Sequence, residues 1–249
     1  MAGHSKWANI QHRKGRQDKI RGKLFTRIGK ELTIAARDGG NPEFNPKLRM
    51  AIDKAKAANM SKDVLERAIK KGTGELEGVE YVEMTYEGYG PAGVAFVVEI
   101  VTDNKNRSAA SVRSNFARND GNLGADGAVS WMFHRKGIII VDKGDMDTDD
   151  FMLQALDAGA EDISEENGKF EVVTEFSEFM AVKGNLEGQG IVVESAEITM
   201  IPENNVEITD EEMAKKVMKL YEALEDNEDV QNIYANFEIS EELMEKIGE

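Results

Sequence analysis

The sequence predicts an α+β multidomain protein: an N-terminal three-helix domain, an α/β sheet domain, and an inserted ferredoxin-like βαββαβ domain. Three observations predict it. Up to about residue 77, apolar residues recur at helical spacing among basic side chains. From Val79 the apolar period switches to two. Between Gly137 and Met200 the strand and helix patterns follow one another in split βαβ order. A chain of 249 residues, 41% hydrophobic, has length and apolar content for more than one core.

The first helix spans about 17–38, with Leu24, Phe25, Ile28, Leu32, Ala35 and Ala36 inward and Gly39–Gly40 as its stop. Asn45 then Pro46 starts the second helix: Asn caps, and Pro sits where its missing N–H costs nothing. Leu48, Ala51, Ile52 and Ala55 line one face of that helix, which runs to about Ala58. Ser61 is placed to cap a third helix, with Val64, Leu65, Ala68 and Ile69 inward and Gly72 closing it. Val82, Met84 and Tyr86 alternate with Glu83, Thr85 and Glu87 in a half-buried strand. After the turn Gly88–Pro91, the apolar run from Val94 to Val101 reads as a central strand. Residues 104–119 form a helix, and Ala128–Phe133 a further strand.

The inserted unit has strands at 138–141, 160–163, 169–173 and 191–199, and helices at 148–158 and 177–187. Thr209 and Glu212 fit a capping box for a helix to about Leu224, and 230–235 is the last strand. The expected domains are therefore 1–77, 78–135 plus 203–249, and 136–202, with crossing linkers near 135 and 202. The repetition of βα units is architectural, without a sequence repeat.

Charge divides along the same line. The first thirty residues hold nine Lys or Arg and one acid, Asp18, in a chain whose formal charge is −16. Residues 1–75 carry 18 basic and 8 acidic residues, a net of +10, which leaves −26 on the remainder. Such a split points to a polyanion as partner for one part and to its repulsion by the rest. There is no cysteine, so thiol nucleophiles, disulfides and Cys-ligated zinc are excluded. The basic start lacks the apolar run of a secretory signal, and no stretch reaches the ~18 apolar residues of a membrane span. An Arg-rich start also invites a transit-peptide reading, set aside because it runs directly into a patterned helix. The expectation is a cytoplasmic protein with no membrane partner.

The candidate binding residues lie first in the leading segment: His4, Lys6, Trp7, His12, Arg13, Lys14, Arg16, Lys19, Arg21, Lys23, Arg27 and Lys30. Cations on every face of residues 4–23 leave no apolar stripe to bury. As an arm that orders on nucleic acid, its Lys and Arg would neutralise phosphates while Trp7, His4 and His12 stack on exposed bases; the alternative is a solvated disordered tail. About six phosphate contacts give a log–log salt slope of roughly −5 on duplex. A second contact is read at Thr102–Arg107, which follows a buried strand and opens a helix. Asp103 or Asn104 can cap there, and Lys105, Arg107 and Arg113 add charge at that end. The alternative is a solvated polar helix start.

Other motifs carry less. The second and third helices resemble a helix-turn-helix in outline, and the third carries Lys62, Arg67, Lys70 and Lys71. Asp63 and Glu66 interrupt those cations, so a three-helix bundle with a charged outer face is the better reading. Acid-rich 142–150 fails as a calcium loop, because Asp150 stands where an EF-hand needs Gly and Leu156 where it needs Glu. Gly121–Gly127 lacks dinucleotide spacing and follows a helix instead of a strand. His4, His12 and His134 have no pairing suited to a metal or a triad. No enzyme activity, metal or cofactor is implied.

The residues Met1–Ile10, His12–Lys14, Asp18, Arg21–Phe25 and Lys30–Glu31 closely resemble the opening of the YebC/PmpR family. The likeness continues through Asn45–Arg49, Ala55–Met60, Ile69–Gly74, Tyr86–Pro91, Thr102–Arg107, Val112–Arg113 and Gly121–Gly124. It spans nearly the whole chain and weakens after about residue 145. The resemblance implies a cytoplasmic, three-domain, non-enzymatic protein. Bacterial members are described as DNA-binding transcriptional regulators. Another part of the family, with mitochondrial relatives, acts in translation, its ribosome-associated members easing stalls at proline-rich sequences. The expected partner is accordingly duplex DNA or ribosomal RNA, with the acidic domains left as a homo-oligomer or protein-partner surface.

Overall fold

The structure, a computed structural model, describes residues 17–248, with side chains from residue 22 onward. Its N-terminal part is helical. Helix α1 (Gln17–Ala35) ends in a 3-10 turn over Ala36–Asp38; α2 spans Pro46–Ala57 and α3 Lys62–Gly72. The Asn45 side chain accepts from the Leu48 N–H at 3.0 Å, the capping bond its position demands. Its amide also donates to the Ala35 and Gly39 carbonyls at 2.7 and 2.8 Å, so one buried residue caps α2 and ties off α1. Ser61 precedes α3 but makes no side-chain cap. Ile28, Leu32, Ala36, Leu48, Ala51, Ala55 and Ala68 form the small core. Gly72 lets α3 cross α1 closely: a Cβ there would lie 2.2 Å from the Thr33 carbonyl oxygen. Leu24 and Val64, expected inward, are exposed, because a bundle this short buries only the middle of each helix.

The first sheet contains β1 (Val82–Tyr89), β2 (Ala95–Thr102), β3 (Asn122–Leu123) and β9 (Val230–Ala235), in the order β3-β1-β2-β9, all antiparallel. Helices α4 (Lys105–Arg118) and α7 (Glu211–Glu225) cover one face. Phe96 and Phe116 meet edge-to-face at 6.0 Å in that core, with Leu220 and Leu224 beside them. Asp210, one residue beyond the expected Thr209, caps α7 by accepting from the Met213 N–H at 2.8 Å. Short β8 (Val206–Ile208) and β10 (Phe237–Ile239) pair in parallel, and α8 (Glu241–Gly248) follows.

The strand expected at 128–133 does not form. Ser130–Met132 is a 3-10 turn, and the extended chain begins at Phe133. The cause is Glu87, whose buried carboxylate accepts from Gly127 N–H at 2.9 Å and from Val129 and Ser130 N–H at 2.8 Å. With Val129 and Ser130 N–H taken by Glu87, and Ala128 and Met132 N–H closing turns on the Ala125 and Val129 carbonyls, the segment is held in turns instead of a ladder. Burial pushes the Glu87 carboxyl up, but the amide donors outweigh it and hold the group below its ordinary value.

The second sheet is β4 (Phe133–Asp142), β5 (Asp162–Glu166), β6 (Lys169–Glu175) and β7 (Val193–Pro202), in the order β5-β6-β4-β7, again antiparallel. Helices α5 (Thr148–Ala158) and α6 (Phe179–Gly188) pack on one face, where Phe151 stacks on Phe170 at 4.1 Å. Asp147 caps α5, accepting from Asp149 and Asp150 N–H, so the acid-rich turn has a local structural use. Near residues 135 and 202 the crossings are not loose linkers. Phe133 pairs with Pro202, His134 with Ile201 and Arg135 with Met200, so the two connections bond to each other. A separate apolar cluster of Ala95, Val97, Val129 and Phe133, with Met200 and Tyr234 against it, joins the first sheet to this ladder. Among the described residues, no helix is long and apolar enough to cross a membrane.

Candidate nucleic-acid interface

Of the residues proposed from sequence to meet nucleic acid, His4, Lys6, Trp7, His12, Arg13, Lys14 and Arg16 lie outside the described residues. Lys19 and Arg21 lie on α1 but outside the described side chains. The remaining six fall into two groups, one on α1 and one around the start of α4.

On α1, Lys23, Arg27 and Lys30 recur at helical spacing and meet the carboxyl end of α7. Lys23 pairs with Asp226. Arg27 donates to the Glu225 carbonyl at 2.9 Å. Lys30 is 8% exposed and donates to the Val101 carbonyl at 2.9 Å, the Glu228 carbonyl at 2.8 Å and the Asp229 carboxylate at 3.3 Å. All three ammonium hydrogens are thereby used inside the protein. The assignment of Lys30 to phosphate binding is therefore corrected: this ammonium is buried and holds α1 to the first sheet. At the end of α7 the last carbonyls lie beyond the intrahelical ladder, and the chain carries Glu225, Asp226, Glu228 and Asp229 just where negative charge is least favoured. Cations from α1 relieve both problems. That acidic run at a helix end was the readable sign of a cationic partner, though nothing in the sequence named α1, about two hundred residues earlier.

At α4, Asn104 is the cap, its side chain accepting from the Arg107 N–H at 3.0 Å. Arg107 grips both oxygens of Asp229 at 2.8 and 2.9 Å and reaches Asp103 at 2.7 Å. Ser108 donates to the same Asp229 carboxylate at 2.8 Å. Burial opposes ionisation of Asp229, yet Arg107, Ser108 and Lys30 together hold its carboxyl below the ordinary value. Arg107 is thus committed to Asp229, a role that sequence reasoning missed. Lys105 and Arg113 are different: both are exposed, and neither forms an ion pair with a described residue.

The outer face of α3 presents Arg67, Lys70 and Lys71, all exposed, while Lys62 lies 3.7 Å from Glu66 on the next turn. Among the described residues, no group of His, Asp and Glu is arranged to hold a metal. The exposed cations Arg67, Lys70, Lys71, Lys105 and Arg113 suit a diffuse negative charge.

Fold and surface together define a class: a mixed α/β protein of antiparallel sheets and several helices, with a basic helical end on an acidic body. Two family models match it, one described as "TACO1/YebC protein N-terminal domain" over residues 5–75 and one as "TACO1/YebC second and third domain" over 81–237. The chain belongs to the TACO1/YebC family. It is 65% identical to a "probable transcriptional regulatory protein" of Fusobacterium nucleatum, over 99% of this chain and all of that one. It is 56% identical to a protein of the same description from Halothermothrix orenii, over the full length of both. Its fold matches the crystal structure of a conserved hypothetical protein of Aquifex aeolicus with a TM-score of 0.84 and 48% identity, covering 95% of this chain and 98% of that one.

Proposed function

We propose that the protein is a non-enzymatic, nucleic-acid-binding regulator of gene expression in the cytoplasm, acting as a DNA-binding transcriptional regulator. The observation that carries this reading is the segregation of charge, +10 on residues 1–75 and −26 on the rest. The regulatory names of the relatives support it. The leading cations, with His4, Trp7 and His12, make the main contact, and Lys105 and Arg113 a second one. Lys23, Arg27 and Arg107 have first claims within the protein and contribute less. The three domains divide the work, 1–77 binding and the two acidic ones presenting a surface to other proteins.

Binding to a promoter fragment and to random duplex, compared at one salt concentration, tests the reading. A regulator of transcription prefers its own site by a wide margin. Equal affinity for all duplexes overturns it. Replacing Lys14 and Arg16 by Glu is expected to reduce the log–log salt slope by about 0.9 for each lost contact and to leave the melting temperature unchanged. A large drop in melting temperature would mean that these side chains are structural.

One observation favours a second reading, a factor bound to ribosomal RNA that relieves stalling at proline-rich sequences. The outer face of α3 mixes Asp63 and Glu66 with its cations, a poor surface for reading base edges in a groove. Sedimentation of the native protein through a sucrose gradient at low salt separates the two. A protein that stays at the top of the gradient is not ribosome-bound.

A further inference from the structure

The seam between α1 and the end of α7 changes character along its length. Its inner end is closed. The Lys30 and Asp229 side chains are 9% and 8% exposed, and the ammonium fills its three donors on protein acceptors. Two turns earlier on the same stripe the contact is open: the Lys23 side chain is 28% exposed and that of its partner Asp226 71%. Between them Arg27 is half-buried and donates one hydrogen bond to the Glu225 carbonyl at 2.9 Å.

The closed end suffices to hold the helix. Lys30 anchors α1, and the Gln231 Nε2 donates to the Arg27 carbonyl at 2.9 Å. The Lys23 and Arg27 side chains add one exposed ion pair and one hydrogen bond, and an exposed pair contributes little to stability. The acids they meet oppose the dipole of α7, so the helix itself does not call for them. Nor is the seam fully satisfied, since the Oε1 of Gln231 is buried without a partner among the described residues. What the acidic end does offer α1 is a row of negative oxygens on consecutive turns, the form in which a phosphate chain presents itself.

We propose that Lys23 and Arg27 form a releasable latch: in the unliganded protein the acidic end of α7 occupies cations that a nucleic-acid phosphate chain takes over, with Lys30 as the fixed pivot. The end of α7 is thus an internal competitor for the ligand of the leading segment. The inference rests on the nucleic-acid reading above and adds its regulation. A polymer already held by the leading cations brings its next phosphates at high local concentration. It therefore displaces an exposed carboxylate that a free anion at the same bulk concentration leaves in place.

The test uses the full-length chain and two labelled probes, a mixed-sequence DNA duplex and an RNA hairpin, followed by anisotropy. Asp226→Asn is expected to tighten binding about two- to fivefold at low salt, to steepen the log–log salt slope by about 0.9 as Lys23 gains a phosphate, and to keep the melting temperature. The gain is expected to vanish when Lys23 is replaced by Met, because the latch is a pairwise effect. A gain that survives in the Lys23→Met background comes from the field of the acidic body alone and overturns the latch. So does a variant that binds no better than the parent. Hydrogen exchange of the unaltered protein decides independently of any variant. Saturating probe is expected to speed exchange of the Asp226 and Asn227 amides, which bond to the Glu222 and Leu224 carbonyls at the end of α7. Slower or unchanged exchange there overturns the proposal. A gain with one probe only supports the latch and names its ligand. If neither probe binds the unaltered protein, the nucleic-acid reading itself falls, and the latch with it.

Discussion

At the scale of single residues, Asp229 and Glu171 show opposite treatments of a buried carboxyl. Asp229 is surrounded by Lys30, Arg107 and Ser108, and its carboxyl is held below the ordinary value. A depressed carboxyl contributes stability above its unfolded value, and that contribution is lost as acid protonates it. Replacing Asp229 by Asn leaves the Lys30 ammonium buried without a counter-charge, and a loss of about 3–5 kcal/mol is expected in urea unfolding at neutral pH. Lys30→Met removes the buried charge and leaves Asp229 its other two partners, so its loss is expected to be smaller. Equal losses would show that the pair is a packing site and the charges incidental. Glu171 sits buried on β6, beside Ile140 of β4 and Ser164 of β5, with Asp162 and Glu166 as its charged neighbours. Burial first, then those two acids, push its carboxyl up to about 7. A raised carboxyl binds its proton more tightly in the folded state. The penalty is absent below the unfolded value near 4.5 and complete above about 7. Glu171→Gln is therefore expected to stabilise the protein by roughly 2–3 kcal/mol at pH 8.5 and to change little at pH 4.5. A gain that is the same at both values would exclude ionisation as the cause.

At the scale of elements, the contact of α1 with the end of α7 is divided between buried and surface groups. Lys23–Asp226 is partly solvated, so reversing it with Asp226→Lys is expected to cost under about 1 kcal/mol overall. Its effect should be local: faster amide hydrogen exchange in α1 around residues 23–27, with residues 30–35 still protected by Lys30 and the bundle core. Unchanged exchange throughout would mean that Arg27 and Lys30 hold the helix without the Lys23–Asp226 pair. This contact also marks the boundary of what was legible in the sequence. Helices α1 to α3 could be read because helical spacing, Asn45–Pro46 and Gly72 all act within a turn or two of themselves. The βαββαβ order of 133–202 was legible for the same reason, with most ends displaced by up to three residues and the start of β4 by five. What could not be read depends on distant partners. An apolar run at 128–133 looks like a strand until Glu87 takes its amides. Three-residue β8 and β10 have no pattern of their own, and each needs the other. Helix α8 was missed although Ser240, Glu241 and Glu242 resemble a helix start. Lys30 and Arg107 looked like free cations because Asp229 lies far along the chain from both.

At the scale of the whole molecule, the two sheets are joined by the β4–β7 ladder and the cluster around Val97 and Phe133, with α1 held to the first sheet by Lys30. The acidic body therefore stays near whatever the basic end binds, and its field acts on that ligand. Two like charges 15 Å apart in water repel by about 0.3 kcal/mol, and at 0.01 M salt the screening length of about 30 Å leaves most of that in force. Asp145, Asp157 and Glu83 are exposed and lie in the turn before α5, on α5 and on β1. Replacing all three by their amides is expected to tighten nucleic-acid binding by up to about fivefold at 0.01 M salt, since three such terms sum to roughly 1 kcal/mol. At 1 M salt, where screening acts within about 3 Å, the same variant and the parent protein should bind alike. Anisotropy titrations at the two salt concentrations distinguish the cases. A gain that persists at 1 M would mean that one of these carboxylates touches the ligand directly. No gain at 0.01 M would mean that the body stands outside the ligand's field, and the segregation of charge would then need another explanation than repulsion of nucleic acid.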